Sequence, residues 1–203
     1  DGRTSVSYSG YVAWDRTLKT LDMMTADELL SYAKTNNITQ LNDYYNVDNP
    51  ANTNWQDEVL RTGFSHNHNV SINGGNEKTN YSASLNFQDR EGVVRGTNMD
   101  RLNARTFVQT KALNNRLELA LSLNASIRNS STGPTDIQGR SVLDAMYYYN
   151  PLVPVKNEDG TWYRNLNISQ NYNPLSMINE DRYDTKEKLL QGTAQGTLHI
   201  IDG

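Results

Sequence analysis

The sequence predicts an all-β chain that forms part of an antiparallel transmembrane β-barrel, with about six strands and long loops carrying short helices. Three observations predict it. Several stretches alternate apolar and polar residues with a period of two, as strands with unlike faces do. The clearest of these stretches is long enough to cross a bilayer. The connections between stretches alternate between tight turns and long polar loops, as they do in outer-membrane barrels.

The clearest stretch is residues 116–128, RLELALSLNASIR. Leu117, Leu119, Leu121, Leu123, Ala125 and Ile127 share one parity, and Glu118, Ala120, Ser122, Asn124 and Ser126 the other. A helix would spread the leucines around its circumference. As a strand tilted by about 45°, the run from Leu117 to Ile127 spans roughly 25 Å, the height of a barrel's apolar band.

The remaining elements follow in order. Residues 3–14 alternate Val6, Tyr8, Val12 and Trp14 with Ser5, Ser7 and Ser9, and read as a strand. Residues 15–63 form a long connection. Within it Thr25 and Glu28 have capping-box spacing at the start of a helix TADELLSYAKTNN, and a second short helix is expected over residues 54–62. Residues 64–74 and 79–89 form a hairpin around a Gly-Gly-Asn turn. Residues 90–100 are read as a third connection, counted among the long ones. Residues 101–111 form a strand of uncertain phase, since Leu102, Ala104 and Val108 compete with Phe107 for the apolar face. The turn at residues 112–115 is tight. Residues 129–186 are the longest connection, with a helix in SVLDAMYYYN ended by Pro151. Residues 188–201 form a sixth strand. All five prolines (Pro50, Pro134, Pro151, Pro154 and Pro174) fall in the long connections. Trp14, Phe64 and Phe87 lie at the long-loop ends of their strands, where a membrane-interface girdle belongs.

Composition agrees. The chain has 203 residues, 36% hydrophobic and 21% charged, so uncharged polar residues fill the difference. That suits a sheet with one apolar and one uncharged wet face better than a helical bundle. The net charge of −4 offers no electrostatic case for nucleic acid. Without cysteine there is no disulfide framework, thiol chemistry or Cys-ligated zinc. No apolar run is long enough for a transmembrane helix, which leaves barrel strands open.

The segment NWQDEVLRTGFSHNHNVSINGGNEKTNYSASLNFQDREGVV resembles the first barrel strands of SusC/RagA-type TonB-dependent transporters of Bacteroidetes. The residues that carry the resemblance are Trp55, Glu58, Arg61, Thr62, Asn67, His68, Ser71, Gly74, Gly75, Tyr81, Ser84, Phe87, Glu91 and Gly92. It continues through RLNARTFVQTKALNNRLELALSLNAS and, more loosely, through LDAMYYYNPLVPV. The resemblance implies a 22-stranded outer-membrane barrel with an N-terminal plug, of which residues 1–203 are the N-terminal part of the barrel domain without the plug. It also implies uptake of oligosaccharides (or peptides), a SusD-like surface lipoprotein as lid, and energy from the TonB complex. No cofactor is implied. The alternative reading is a secreted β-rich carbohydrate-binding module, which would bury its apolar face and keep its strands to about six residues.

Candidate sites are few. No nucleophile elbow, phosphate loop or dinucleotide fingerprint occurs, so no catalytic residues are assigned and the chain is not read as an enzyme. His66 and His68 share a strand face but have no evident third metal ligand, and no metal site is assigned. Asn157 to Gly160 resembles part of a calcium loop, yet Asp-Gly there reads as a hairpin turn. Tyr147, Tyr148, Tyr149, Trp162, Tyr163 and Tyr172 concentrate aromatic rings in the longest loop. Two readings stand: contact with substrate or lid, and packing of the loop over the barrel mouth.

Overall fold

The computed structural model describes residues 3–133, 141–166, 168 and 172–200. Six strands, β1 (Ser5–Asp15), β2 (Gly63–Gly75), β3 (Thr79–Glu91), β4 (Asn98–Ala112), β5 (Leu117–Thr132) and β6 (Tyr183–Leu198), form one antiparallel sheet in sequence order. The sheet is open, because β1 and β6 do not pair with each other. Its strands run to 11–16 residues, about twice the length common in soluble sheets.

Register decides which side chains share a face. Leu121 stands opposite Val108, which stands opposite Tyr81; Ile127 opposes Leu102, and Leu102 opposes Phe87. Leu85 opposes Val70, and Val70 opposes Tyr8. One face is therefore apolar from β1 to β5. No helix packs across it among the described residues, and Val6, Val12, Leu85, Leu121 and Leu190 are each at least half exposed. A soluble sheet would bury that surface under a second layer. The opposite face carries Ser, Asn, Gln and Thr, joined across strands by pairs such as Ser7 to Ser71 at 2.7 Å and Asn103 to Asn124 at 3.0 Å. The phase of β4 is settled by the same register. Phe107 lies opposite Ser82 and Ser122 on the polar face, while Leu102, Ala104 and Val108 are outward.

The turns at residues 76–78 and 113–116 close one end of the sheet. The first depends on Asn76, whose side chain accepts from the Lys78 and Thr79 amides. The second runs Leu113, Asn114 and Asn115 through positive φ. At the other end the third connection proves shorter than the sequence suggested, spanning only residues 92–97 between β3 and β4. Both ladders extend beyond the alternating core, so polar residues at their ends still pair. β6 likewise starts at Tyr183, and its charged first turns are held to β5 by contacts such as Arg128 to Glu187 at 3.2 Å.

The described parts of the long connections, residues 16–62 and 141–182, fold against each other at this same end. The first carries α1 (Ala26–Thr35), α2 (Leu41–Tyr44) and α3 (Trp55–Val59); the second carries α4 (Val142–Tyr148) and α5 (Pro174–Glu180). The capping box expected at Thr25 and Glu28 is formed. Those hydrogen bonds hold the Glu28 carboxyl below the usual carboxylate range, chiefly through the Thr25 backbone amide. Helix α3 covers only the first part of the expected 54–62 segment, because residues beyond Val59 turn away to bridge Leu60 to Val94. Helices α2 and α5 lack a sequence expectation. Pro50, Pro151 and Pro154 lie in loops and Pro174 opens α5, whereas Pro134 lies outside the described residues. The end of the expected sixth strand at residue 201 lies outside them too.

Candidate functional site

Two surfaces carry the chemistry: the loop layer over one end of the sheet, and the sheet's polar face. The loop layer has its own core. Trp55 and Val59 of α3 meet Val142, Ala145 and Met146 of α4 and Leu175, Met177 and Ile178 of α5, all nearly inaccessible to solvent. Backbone bonds knit the two connections together, Ala51 N–H to Leu152 at 3.1 Å and Thr53 N–H to Pro151 at 3.0 Å. The Trp55 indole donates to the Asn150 carbonyl at 3.0 Å.

The motif around Trp55 and Arg61 thus has a structural explanation. Arg61 donates from Nε to the Gly92 carbonyl and from Nη2 to the Thr97 carbonyl, both at 3.1 Å, and pairs with Glu91 at 3.5 Å. Arg95 returns the contact, donating to the Glu58 carbonyl at 2.8 Å. Gly96 turns at φ +78°, and a Cβ there would meet Ile178 Cγ2 at 2.6 Å, so the loop between β3 and β4 lies tight against α5. These residues bind the loop layer to the rim of the sheet.

The six aromatic residues of the longest loop separate into two groups. Tyr149 is 4% exposed and packs edge-on to Trp55 with centroids 4.8 Å apart. Burial raises its phenol pKa, with the neighbouring Tyr163 and Tyr45 adding to the effect. Its hydroxyl donates to the Tyr163 carbonyl at 3.2 Å. Trp162, Tyr163 and Tyr172 are partly buried against the same core, and Lys156 stands over the Trp162 ring at 4.4 Å. Tyr147 and Tyr148 point outward, Tyr148 being 75% exposed. Residues 156–162 form the expected Asp-Gly hairpin, with Lys156 paired to Trp162 and Gly160 at φ +85°. Asp159 accepts from the Thr161 hydroxyl and amide there, which lowers its carboxyl pKa. Beside the core a pocket of about 560 Å³ opens between Met23, Met24, Trp55, Met146, Tyr149 and Pro151.

On the outward face, Trp14 and Phe64 oppose one another at the loop end, with ring centroids 5.5 Å apart. Phe87 lies lower, level with His68, and is linked to them through the His66 ring. His68 Nδ1 bonds the Tyr8 hydroxyl at 2.7 Å, and His66 Nδ1 is buried without a partner. Among the described residues no cluster of three metal-ligating side chains occurs. Immediately above Leu102 and Ile127, the outward row changes to His66, Asp89, Asp100, Asn129 and Lys186. The apolar surface therefore stops at a defined height. Sequence reasoning located the band but not this polar row, although the change from Ile127 to Asn129 was its signal.

A sheet of membrane-spanning strands, apolar outside and polar inside, with loops gathered at one end, is the wall of an outer-membrane β-barrel. The comparisons with known proteins agree. The chain is 33% identical over 179 residues to the TonB-dependent receptor SusC of Bacteroides thetaiotaomicron, covering 83% of this chain and 17% of that one. It is 26% identical over 189 residues to the TonB-dependent receptor P3 of Formosa agariphila, covering 91% and 18%. Two solved structures of the RagAB peptide importer match its fold with TM-scores of 0.67 and 0.66, at 18% and 20% identity, each covering 99% of this chain and 27% of theirs. No protein-family model matches. The chain belongs to the SusC/RagA-type TonB-dependent receptors of the outer membrane, as a section of their barrel, and spans less than a fifth of the length of these curated relatives.

Proposed function

We propose that the whole receptor imports oligosaccharides (or peptides) across the outer membrane, under a SusD-like surface lipoprotein and driven by the TonB complex. Residues 1–203 would belong to the N-terminal part of its barrel domain, outside the plug. The observation that carries this reading is the loop layer. Two connections far apart in sequence share one apolar core at a single end of the sheet; that core leaves Tyr147 and Tyr148 outward, while Met146 and Tyr149 on either side of them in sequence line a pocket. Rings on a rigid support suit the faces of sugars, and also suit the underside of a protein lid. Substrate held between lid and loop layer would then pass down the polar face as the plug rearranges. Trp14, Phe64 and Phe87 act in this account as the membrane-interface girdle. Trp162, Tyr163 and Tyr172 support the exposed pair from beneath, as does Tyr149.

The test uses the full-length receptor. Replacing residues 134–181 by a short Gly-Ser turn is expected to leave an assembled barrel that no longer takes up its nutrient or co-purifies with a lipoprotein. Unimpaired uptake together with an intact complex would contradict the proposal. A Tyr147→Ser, Tyr148→Ser double variant, which leaves the loop core whole, should reduce uptake with normal assembly.

A further inference from the structure

The outer side of the wall changes character just above the apolar band. There Asp89 stands opposite Asp100, Asp100 opposite Asn129, and Asn129 opposite Lys186. A recess of about 570 Å³ opens along this row from β3 to β6, with Arg182 at its loop end. Strands β3, β4 and β5 have both neighbours in place, so the floor of the recess is complete. The surface faces away from the barrel interior. A plug lies on its far side, and the strands that close the barrel lie beyond the sheet's edges.

Charge is unevenly spread along the row. Carboxylates stand on the β3 and β4 side, and most are engaged: Glu91 pairs with Arg61 at 3.5 Å, and Asp100 accepts from the Asn129 amide at 2.8 Å. At the loop end Asp184 pairs with Arg182 at 2.8 Å. Cations stand on the β6 side, about 14 Å from β3 at the usual strand spacing. Lys186 belongs to the polar row itself. Lys188 is one step lower, level with Ile127, and its stem lies along the apolar surface with the ammonium raised toward the row. Leu102 and Ile127 begin the apolar surface directly below.

These three zones dictate what fits. Below, the wall meets acyl chains. In the middle, carboxylates and carboxamides accept from and donate to hydroxyls, as a sugar presents them. Toward β6, ammonium groups give charge-assisted hydrogen bonds to an anion such as phosphate.

We infer that this recess binds the phosphorylated sugar headgroup of a glycolipid in the outer leaflet. Asn98, Asp100 and Asn129 hold the hydroxyls, Lys186 and Lys188 hold the phosphate, and the acyl chains descend over Leu102 and Ile127. The site lies outside the wall, so it stands whatever nutrient the receptor imports.

The probes are bis-phosphorylated lipid A, the same lipid A stripped of its phosphates, and phosphatidylglycerol, which has a phosphate but no sugar. Each is added to delipidated full-length receptor in detergent, and bound lipids are counted by native mass spectrometry. At equal lipid concentration, wild type should hold one more bis-phosphorylated lipid A than the Lys186→Gln, Lys188→Gln variant, whose affinity at this site falls about tenfold or more. Lys186→Arg should keep the wild-type count. With phosphate-free lipid A the wild type and the double variant should not differ. Asn98→Ala should lower occupancy by both forms of lipid A and leave phosphatidylglycerol unchanged. All variants should show the heat-modifiable mobility of a folded barrel. An unchanged count in the double lysine variant would overturn the assignment. So would phosphatidylglycerol that binds as tightly as bis-phosphorylated lipid A and is lost with the same lysines, since the sugar would then play no part.

Discussion

Trp55→Ala is expected to cost the loop layer about 3–5 kcal/mol, the usual range for deleting a buried large aromatic side chain. Trp55 is 4% exposed and holds three things together. Its ring meets Tyr149 edge-on, its indole N–H reaches the Asn150 carbonyl, and its helix is docked on α4 and α5. The small helices have little stability of their own, since isolated helices this short are marginal in water. Loss of the ring should therefore release both long connections together. Limited proteolysis of intact cells should show faster cleavage within residues 16–62 and 133–182, while the strands stay protected. Trp55→Phe keeps a ring but loses the indole hydrogen bond, and should fall between wild type and the alanine variant. Unchanged cleavage in Trp55→Ala would mean that the two connections do not depend on a shared core.

Leu121→Arg addresses the sheet. Leu121 is near the middle of the outward band, 58% exposed and level with Val108 and Tyr81. Arginine at the midplane of the lipid-facing side of a barrel costs about 2–4 kcal/mol. The adjacent position points inward, so Ala120→Arg, opposite Gln109 and Gln195, serves as the matched control. Membranes from cells expressing the full-length receptor should contain much less heat-modifiable, folded barrel for Leu121→Arg and near-normal amounts for Ala120→Arg. Equal losses would argue that the two faces are not solvated differently.

The contrast between those neighbours was legible in the sequence because a pleated strand writes its two environments into alternate residues. The hairpin around Asn76 and the capping box at Thr25 were legible for a related reason: each is a local device whose partners lie within a few residues. The first residues of β6 were not. Asp184, Lys186 and Glu187 carry no alternation, and their strand conformation comes from β5 alongside. The phase of β4 was hidden too, since Phe107 competes with Val108 until the register opposite Leu121 and Ser122 is known. The loop core was furthest from view. Trp55 meets Tyr149 from 94 positions away in the chain, and neither local sequence announces the other. The candidate aromatics were found by composition, but the division between buried Tyr149 and exposed Tyr148 needed the packing.

The central claim is that one face of these strands meets lipid and the other meets an enclosed aqueous space. Single cysteines placed at positions 117–128 of the full-length receptor, spin-labelled and reconstituted in bilayers, test it most directly through collision with a lipid-soluble and a water-soluble relaxing agent. Labels at Leu119, Leu121, Leu123 and Ile127 should respond to oxygen dissolved in lipid, and those at Ala120, Ser122, Asn124 and Ser126 to an aqueous nickel chelate. Leucine positions shielded from both agents, as in a soluble core, would contradict the account.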